Sequence, residues 1–355
     1  MKQITAGQTK PERDPRYDCL RAVAVMAIIM VHAMPIGTHS SRQWWFNSIM
    51  TPFLLSFVGI YFMLSGMFIL ERGTEDIGRF YKKRLISVGI PLLIYGLIYY
   101  CYNVYVDGIR LNSLLHAARY LGQVVTAGIA GAGHLWFMYA IAAFYLCAPF
   151  LARMMKIMTD KELKFFLILM VSVHTVEVAG EIAGLDMSPW AQFVLYTGWV
   201  YYFLLGYGVK RLCRREQFPV ILVLAAAGLA FDVAAKGAMT WWSPKNPHKS
   251  PSMVFICCAV FLLAEFYGGY LPKWAGKAGA FVSRYSFSIY LIHFFVLNHI
   301  VNPMLVKDLT SRHYIGGTLA ATAATFALSL VCAAVIDTLV AGPVERLAYK
   351  GIKAG

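Results

Sequence analysis

The sequence predicts an all-α fold, a polytopic membrane bundle of about ten transmembrane helices with both termini in the cytoplasm. Three observations lead to this prediction. Of the 355 residues, 59% are hydrophobic and only 14% are charged. Apolar runs long enough to cross a hydrocarbon core recur along the whole chain. Lysine and arginine are unevenly distributed between the segments that join these runs.

Ten apolar runs are candidate spans, most of them about 18 to 25 residues long. They cover residues 19–35, 49–70, 86–106, 134–151, 163–183, 191–209, 218–235, 252–270, 281–301 and 315–340. The runs are too long and too evenly apolar for β-barrel strands, in which apolar and polar residues alternate. A helical bundle is therefore the expected architecture.

The distribution of basic residues predicts the topology. With the N-terminus placed in the cytoplasm, 24 of the 32 lysine and arginine residues fall on the inner side. This bias agrees with the positive-inside rule and favours an even number of spans. Most of the net charge of +14 then faces anionic membrane lipid, and no nucleic-acid partner is expected.

The chain is interpreted as one integral membrane domain over residues 1–355, with a cytoplasmic tail over 1–17 and no cleavable signal peptide. Its seven cysteines show neither metal-type spacing nor a disulfide framework. No metal and no permanently bound cofactor are expected. The oligomeric state cannot be read from the sequence.

The first apolar run carries the most informative residues, Asp18, Arg21 and His32. Eleven residues at about 100° each leave Arg21 and His32 only about 20° apart around a helix and about 16 Å apart along its axis. Asp18 lies near the same stripe, one turn before Arg21. Ionisable groups in a membrane span are costly and are usually functional.

His32 has two interpretations. It could be a packing histidine that donates a hydrogen bond to a neighbouring helix, but the aligned Arg21 favours a catalytic role. If His32 is buried, it stays neutral and can accept a proton as a general base; it could also act directly as a nucleophile. Asp18 could belong to the catalytic group as a carboxylate partner, or it could simply pair with Arg21.

A basic segment from Arg79 to Arg84 precedes the third run and reads RFYKKR. Such a segment often serves only as a topology anchor. Arg79, Lys83 and Arg84 could also form a phosphate clamp together with Arg21, because arginine matches phosphate oxygens in bidentate geometry.

Four further residues could line a substrate channel. His134 and Trp136 lie at a predicted membrane interface, where aromatic belts are common. Tyr290 and His293 share one face of the ninth run with Ser286, where hydrogen bonds between helices are the simpler explanation.

The motifs together resemble acyltransferase family 3, the ten-span membrane acyltransferases that modify bacterial surface glycans. The resemblance rests on Asp18-x-Leu-Arg21 with its ten-residue spacer to His32, on YFMLSG over Tyr61–Gly66, on the basic segment 79–84, on HLWF over His134–Phe137 with Tyr139, and on SFSIYLIH over Ser286–His293. These features follow the family order from about residue 13 to 347. Within the family, the chain is most similar to the group that contains the O-acetyltransferase of enterobacterial common antigen.

The resemblance implies an O-acyltransferase, most simply an O-acetyltransferase, of the bacterial inner membrane. The donor would be cytosolic acetyl-CoA or another acyl-CoA, and the acceptor would be a hydroxyl of a surface glycan or of its lipid-linked precursor. By the same resemblance, His32 would be the catalytic histidine, and Arg21, Arg79, Lys83 and Arg84 would bind the donor. The alternative is a transporter or flippase for glycans or lipid-linked intermediates, because ten spans with polar groups near mid-membrane fit that class as well.

Overall fold

The computed structural model describes residues 13–34, 40–72, 76–108, 113–187, 198–238, 251–306 and 313–354. Over these ranges the chain is helical almost throughout and contains no strand. The α-helices are α1 (Pro15–Ala33), α2 (Ser41–Arg72), α3 (Ile77–Arg84), α4 (Ile90–Val106), α5 (Ser113–Val125), α6 (Trp136–Ile157), α7 (Asp160–Ile182), α8 (Trp199–Leu212), α9 (Phe218–Ala238), α10 (Pro251–Tyr267), α11 (Lys273–Val296), α12 (Tyr314–Ile336) and α13 (Gly342–Ala354). Short π-helical segments join α3 to α4 and α12 to α13, and another extends α11.

Eight helices within the described ranges are long and apolar enough to cross a membrane, which confirms the predicted class of a multi-pass helical membrane protein. They are Ser41–Arg72, Ile77–Val106, Gly133–Ile157, Asp160–Ile182, Arg215–Ala234, Ser252–Tyr270, Lys273–Met304 and Tyr314–Gly351. The predicted total of ten spans and the cytoplasmic placement of both termini stay predictions.

The two remaining predicted spans correspond to α1 and α8. α1 has three charged residues, Arg16, Asp18 and Arg21, in its first two turns, which lowers its apolar content. The predicted span 191–209 lies partly outside the described residues, and α8 is its described part.

Two local signals determine where α1 begins. Proline fits the first position of a helix because its missing N–H would be unpaired there, and Pro15 occupies that position. The preceding Asp14 caps the helix by accepting a hydrogen bond from the backbone N–H of Arg16 at 3.0 Å. α1 therefore starts four residues before the predicted apolar run and includes the last residues of the predicted tail.

α1 packs most extensively against α11, with α2 and α12 beside it. Ala24, Val25 and Ile29 are fully buried. α1 and α11 run parallel, because Asp18 in the first turn of α1 contacts Ser283, and His32 in the last turn of α1 contacts His293, which lies further along α11. The two helices approach closely at Gly279, where an added Cβ would lie only 2.9 Å from the Cα of Cys19.

α2 and α8 form the other close pair, and glycine makes this contact possible on both helices. A Cβ on Gly66 would collide with the backbone carbonyl of Phe203, and a Cβ on Gly206 would collide with that of Met63. Small residues let membrane helices approach until their backbones touch. Gly66, which ends the YFMLSG motif, therefore has a packing role.

We expect Gly66→Ala to reduce the stability of the protein in detergent by about 1–3 kcal/mol, because the added methyl group overfills the contact between α2 and α8. Thermal unfolding followed by intrinsic fluorescence measures this effect. The matched control is Gly122→Ala on α5, where no other atom lies within 4 Å of the added Cβ. Equal melting temperatures for the two variants would contradict the proposed packing role.

Candidate functional site

A cavity of about 480 Å³ opens between α1, α2, α3, α6 and α11. Four arginines line it, together with two aspartates and several aromatic side chains. The charged lining residues are Arg13, Asp14, Asp18, Arg21, Arg72 and Arg84. We call this end of the bundle the arginine end. With more cations than carboxylates on its wall, the cavity favours an anionic ligand.

Aromatic rings hold three of these guanidinium groups in place. The Phe68 ring of α2 lies 5.0 Å from the guanidinium carbon of Arg21 and 6.0 Å from that of Arg72. The guanidinium of Arg84 lies over Phe80 at 5.2 Å and over Tyr145 at 4.8 Å. Stacking on a ring stabilises the flat face of a guanidinium and leaves its N–H groups at the edge free to bind an anion.

The two aspartates pair with neighbouring groups. Asp18 is buried; its Oδ1 accepts hydrogen bonds from Ser283 at 2.6 Å and from Arg21 at 3.3 Å. Asp14 accepts from the side chain of Arg16 at 2.7 Å, and this interaction holds the pKa of the Asp14 carboxyl below its usual range. Each aspartate therefore pairs with a guanidinium group, Asp14 with Arg16 and Asp18 with Arg21.

The position of Asp18 corrects its predicted place in the catalytic group. It is fourteen residues from His32 on a continuous helix, which corresponds to about 21 Å, so it cannot contact the imidazole. Asp18 instead fixes Arg21 and links the start of α1 to α11. It belongs with the arginine cavity.

The predicted phosphate clamp is only partly present. Arg21 and Arg84 line the cavity, whereas Arg79 and Lys83 are exposed and are not among its lining residues. Arg13 and Arg72, which sequence reasoning did not select, take their place. No local signal in the sequence marks either residue, because only the packing of α2 beside α1 brings Arg72 to Arg21.

Three histidines meet at the opposite end of α1. The ring centroid of His293 lies 5.3 Å from that of His32 and 5.0 Å from that of His134. His134 and His293 are buried, whereas His32, in the last turn of α1, is exposed. We call this end the histidine end. The end of α1 leaves one side of the His32 ring open, while its other side packs on His293 and Phe294.

The predicted channel residues separate into two groups. Tyr290 lies with the histidines, and its hydroxyl donates to the backbone carbonyl of His134, as expected for a bond between helices. Trp136 instead packs on Trp199 of α8, at 5.2 Å between ring centroids. The structure therefore joins His134, Tyr290 and His293, and it places Trp136 on another face.

A thin aromatic layer separates the cavity from the histidines. Phe137 lines the cavity, and its ring lies 5.3 Å from that of Tyr290. Tyr61, at the start of the YFMLSG motif, also lines the cavity and donates to the backbone carbonyl of Arg21 at 3.1 Å. On α11, Ser286 faces the cavity and His293 reaches the histidine cluster, seven residues or about 10 Å further along.

We expect inorganic pyrophosphate to raise the melting temperature of the protein by binding in the arginine cavity. A ligand present at 100 times its Kd stabilises the folded state by about 2.7 kcal/mol. Arg72→Gln and Arg84→Gln each remove a charged hydrogen-bond donor, so each should weaken binding by roughly tenfold or more. Fluorescence thermal shifts over a pyrophosphate titration give the Kd values.

Lys82→Gln is the matched control, because Lys82 lies two residues before Arg84 but is exposed and outside the cavity lining. Its Kd should equal that of the wild type. A pyrophosphate response that is absent from the wild type, or that is equally weakened in all three variants, would show that the cavity is not an anion site.

Comparisons with known proteins identify the family of the chain. The family model Acyl_transf_3, described as an acyltransferase domain, matches residues 14–336, which include both ends of the site. The chain is 24% identical over 306 residues to a Bacillus subtilis (strain 168) protein named "Putative membrane-bound acyltransferase YfiQ", and the match covers 80% of each chain. No solved structure matches. The chain is a multi-pass helical bundle, and the family model matches nearly all of it. It therefore belongs to acyltransferase family 3 and is a membrane-bound acyltransferase.

Proposed function

We propose that this acyltransferase moves an acyl group, most simply acetyl, from cytosolic acyl-CoA to a hydroxyl of a surface glycan or its lipid-linked precursor. One observation carries the proposal. A cavity lined by arginines and an accessible imidazole lie at the two ends of one helix, α1, with a thin aromatic layer between them. A donor with a polyanionic head and a long arm that ends in a reactive thioester fits this arrangement.

The arginine end suits the head of coenzyme A. Its phosphates supply several negative charges, and guanidinium groups bind phosphate oxygens in bidentate geometry. A volume of about 480 Å³ falls in the usual range of small-molecule sites. The bias of lysine and arginine along the chain supports a cytosolic location for this end, where acyl-CoA would be available.

The pantetheine arm would run from the cavity past Phe137 towards His32. The axial distance from Arg21 to His32 is about 16 Å, which an extended arm can cover. Phe137 is in ring contact with Tyr290, so the arm requires a change in the Phe137 side chain. In this way the thioester can reach an acceptor that enters at the histidine end.

The chemistry at the histidine end would be acyl transfer with general base catalysis. His32 takes the proton from the acceptor hydroxyl as its oxygen attacks the thioester carbonyl. The bond between carbonyl carbon and sulfur then breaks, and the leaving thiolate takes that proton from the imidazolium. The products are an O-acyl ester and free CoA, and His32 is neutral again.

The acceptor is proposed from the family resemblance, and enterobacterial common antigen is one candidate among surface glycans. The exposure of His32 supports an acceptor that approaches from outside the helix bundle, as a glycan or a lipid-linked sugar would. Free membrane lipid would surround the apolar faces of the spans.

We expect purified His32→Asn protein to lose about 10²- to 10⁴-fold in acyl transfer, the contribution typical of a general base. Release of free CoA from acetyl-CoA in the presence of acceptor is measured with a thiol reagent, and mass spectrometry of the acceptor identifies the ester. CoA binding should be unchanged, because His32 is outside the cavity. The control His313→Asn replaces an exposed histidine just before α12.

Two results would contradict the proposal. Full acyl transfer by His32→Asn would remove His32 from the chemistry. Movement of the acceptor across the membrane without consumption of acyl-CoA would favour a transporter. An acyl-histidine trapped on His32 would keep the enzyme but replace the general base by a nucleophile.

A further inference from the structure

His293 is a buried histidine whose hydrogen bonds fix its tautomer. Its Nδ1 lies 2.6 Å from the backbone carbonyl oxygen of Tyr290. A carbonyl oxygen only accepts, so Nδ1 carries the proton and Nε2 carries the lone pair. Nε2 is buried and has no hydrogen-bond partner among the described residues. His293 therefore offers one free acceptor beside the ring of His32.

The tautomer of His134 is fixed in the same way, but here the proton is on Nε2 and the lone pair is on Nδ1. Its Nε2 lies 3.2 Å from the backbone carbonyl oxygen of Leu291, which assigns the proton to Nε2. Nδ1 is buried and has no hydrogen-bond partner within the described ranges. Both buried imidazoles can thus accept a hydrogen bond, and in these tautomers neither can donate one to His32.

Three carboxylates in or near the spans bind other groups. Asp18 is bonded to Ser283 at the arginine end. Asp337 accepts from Tyr95 at 3.0 Å and from Ser288 at 2.7 Å. Glu265 accepts from Tyr17 at the start of α1. The ring next to His32 is instead that of His293, with 5.3 Å between the two ring centroids.

We propose that His293 is the positioning residue for His32, with its Nε2 accepting the N–H of the His32 imidazole. This bond would fix the tautomer of His32 and turn the other ring nitrogen, with its lone pair, towards the acceptor hydroxyl. The role is that of the aspartate in a catalytic triad, performed here by a neutral group. A neutral acceptor avoids the cost of a buried charge inside a membrane. The inference rests on the proposed role of His32 as base.

Two substitutions of His293 separate positioning from packing. His293→Asn keeps an amide N–H near the Nδ1 position, where it can still donate to Tyr290, but it has no acceptor at the Nε2 position. His293→Gln places a carbonyl oxygen near the Nε2 position. We expect His293→Asn to lower kcat by about 10- to 100-fold, as does loss of the hydrogen-bond partner that orients a metal-bound histidine, with KM for acyl-CoA unchanged. His293→Gln should recover kcat to within a few-fold of the wild type.

Histidine labelling with diethyl pyrocarbonate tests the same contact without any assay of acyl transfer. Site-resolved mass spectrometry should find His32 labelled in the wild type and the buried His134 and His293 protected. An imidazole that donates its N–H to an acceptor is more nucleophilic at its other nitrogen, so His293→Asn should slow the labelling of His32 several-fold. The matched control is His299→Asn, an exposed histidine on the extension of α11 that packs on Tyr102.

The outcomes distinguish this inference from the proposed function. Slower labelling of His32 in His293→Asn, in a protein without acyl transfer, would retain the contact and reject the enzyme mechanism. Unchanged labelling and unchanged kcat in His293→Asn would overturn the inference and leave the acyltransferase intact. If His293→Asn does not fold, kcat of the folded His293→Gln variant tests the inference. A large loss of kcat in that variant would also overturn the positioning role.

Discussion

The parallel packing of α1 against α11 is the constraint on which the site depends. Gly279 lets the two helices approach near their starts, Asp18 and Ser283 bond at the arginine end, and His32 meets His293 at the other. Because both helices are continuous over this length, the distance between anion cavity and imidazole is set by helix geometry. A donor bound at one end can then present its reactive group at a fixed depth.

Charged and polar side chains are stabilised in different ways at the arginine end and at the histidine end. At the arginine end, charges are balanced in part by Asp14 and Asp18, and aromatic rings carry the guanidinium groups. At the histidine end, the buried polar groups are neutral imidazoles bonded to backbone carbonyls. The Phe137 ring between them keeps the two environments apart. A charged head and a neutral reaction centre can therefore coexist on one helix without a buried, unpaired charge.

Much of this arrangement could be predicted from the sequence, because it depends on local spacing. Apolar runs gave the helices, and the spacing of Arg21 and His32 along one stripe placed a cation and an imidazole at opposite ends of α1. The remaining parts depend on contacts between distant segments. Arg72 lies at the cavity because α2 packs beside α1, and His293 is 261 positions after His32 in the chain. Gly66 is needed because the backbone of α8 contacts it directly. Charge alone favours Lys83 and Arg84 equally, but only Arg84 lines the cavity, since adjacent residues point about 100° apart on a helix.

The most direct test is a structure of the protein with a non-hydrolysable thioether analogue of acetyl-CoA. The geometry requires the phosphates to contact Arg21, Arg72 or Arg84, the arm to pass a displaced Phe137, and the acyl carbon to lie within reach of an acceptor oxygen bonded to His32. Phosphates bound away from the arginine cavity, or an arm that leaves the bundle towards lipid without approaching His32, would contradict it.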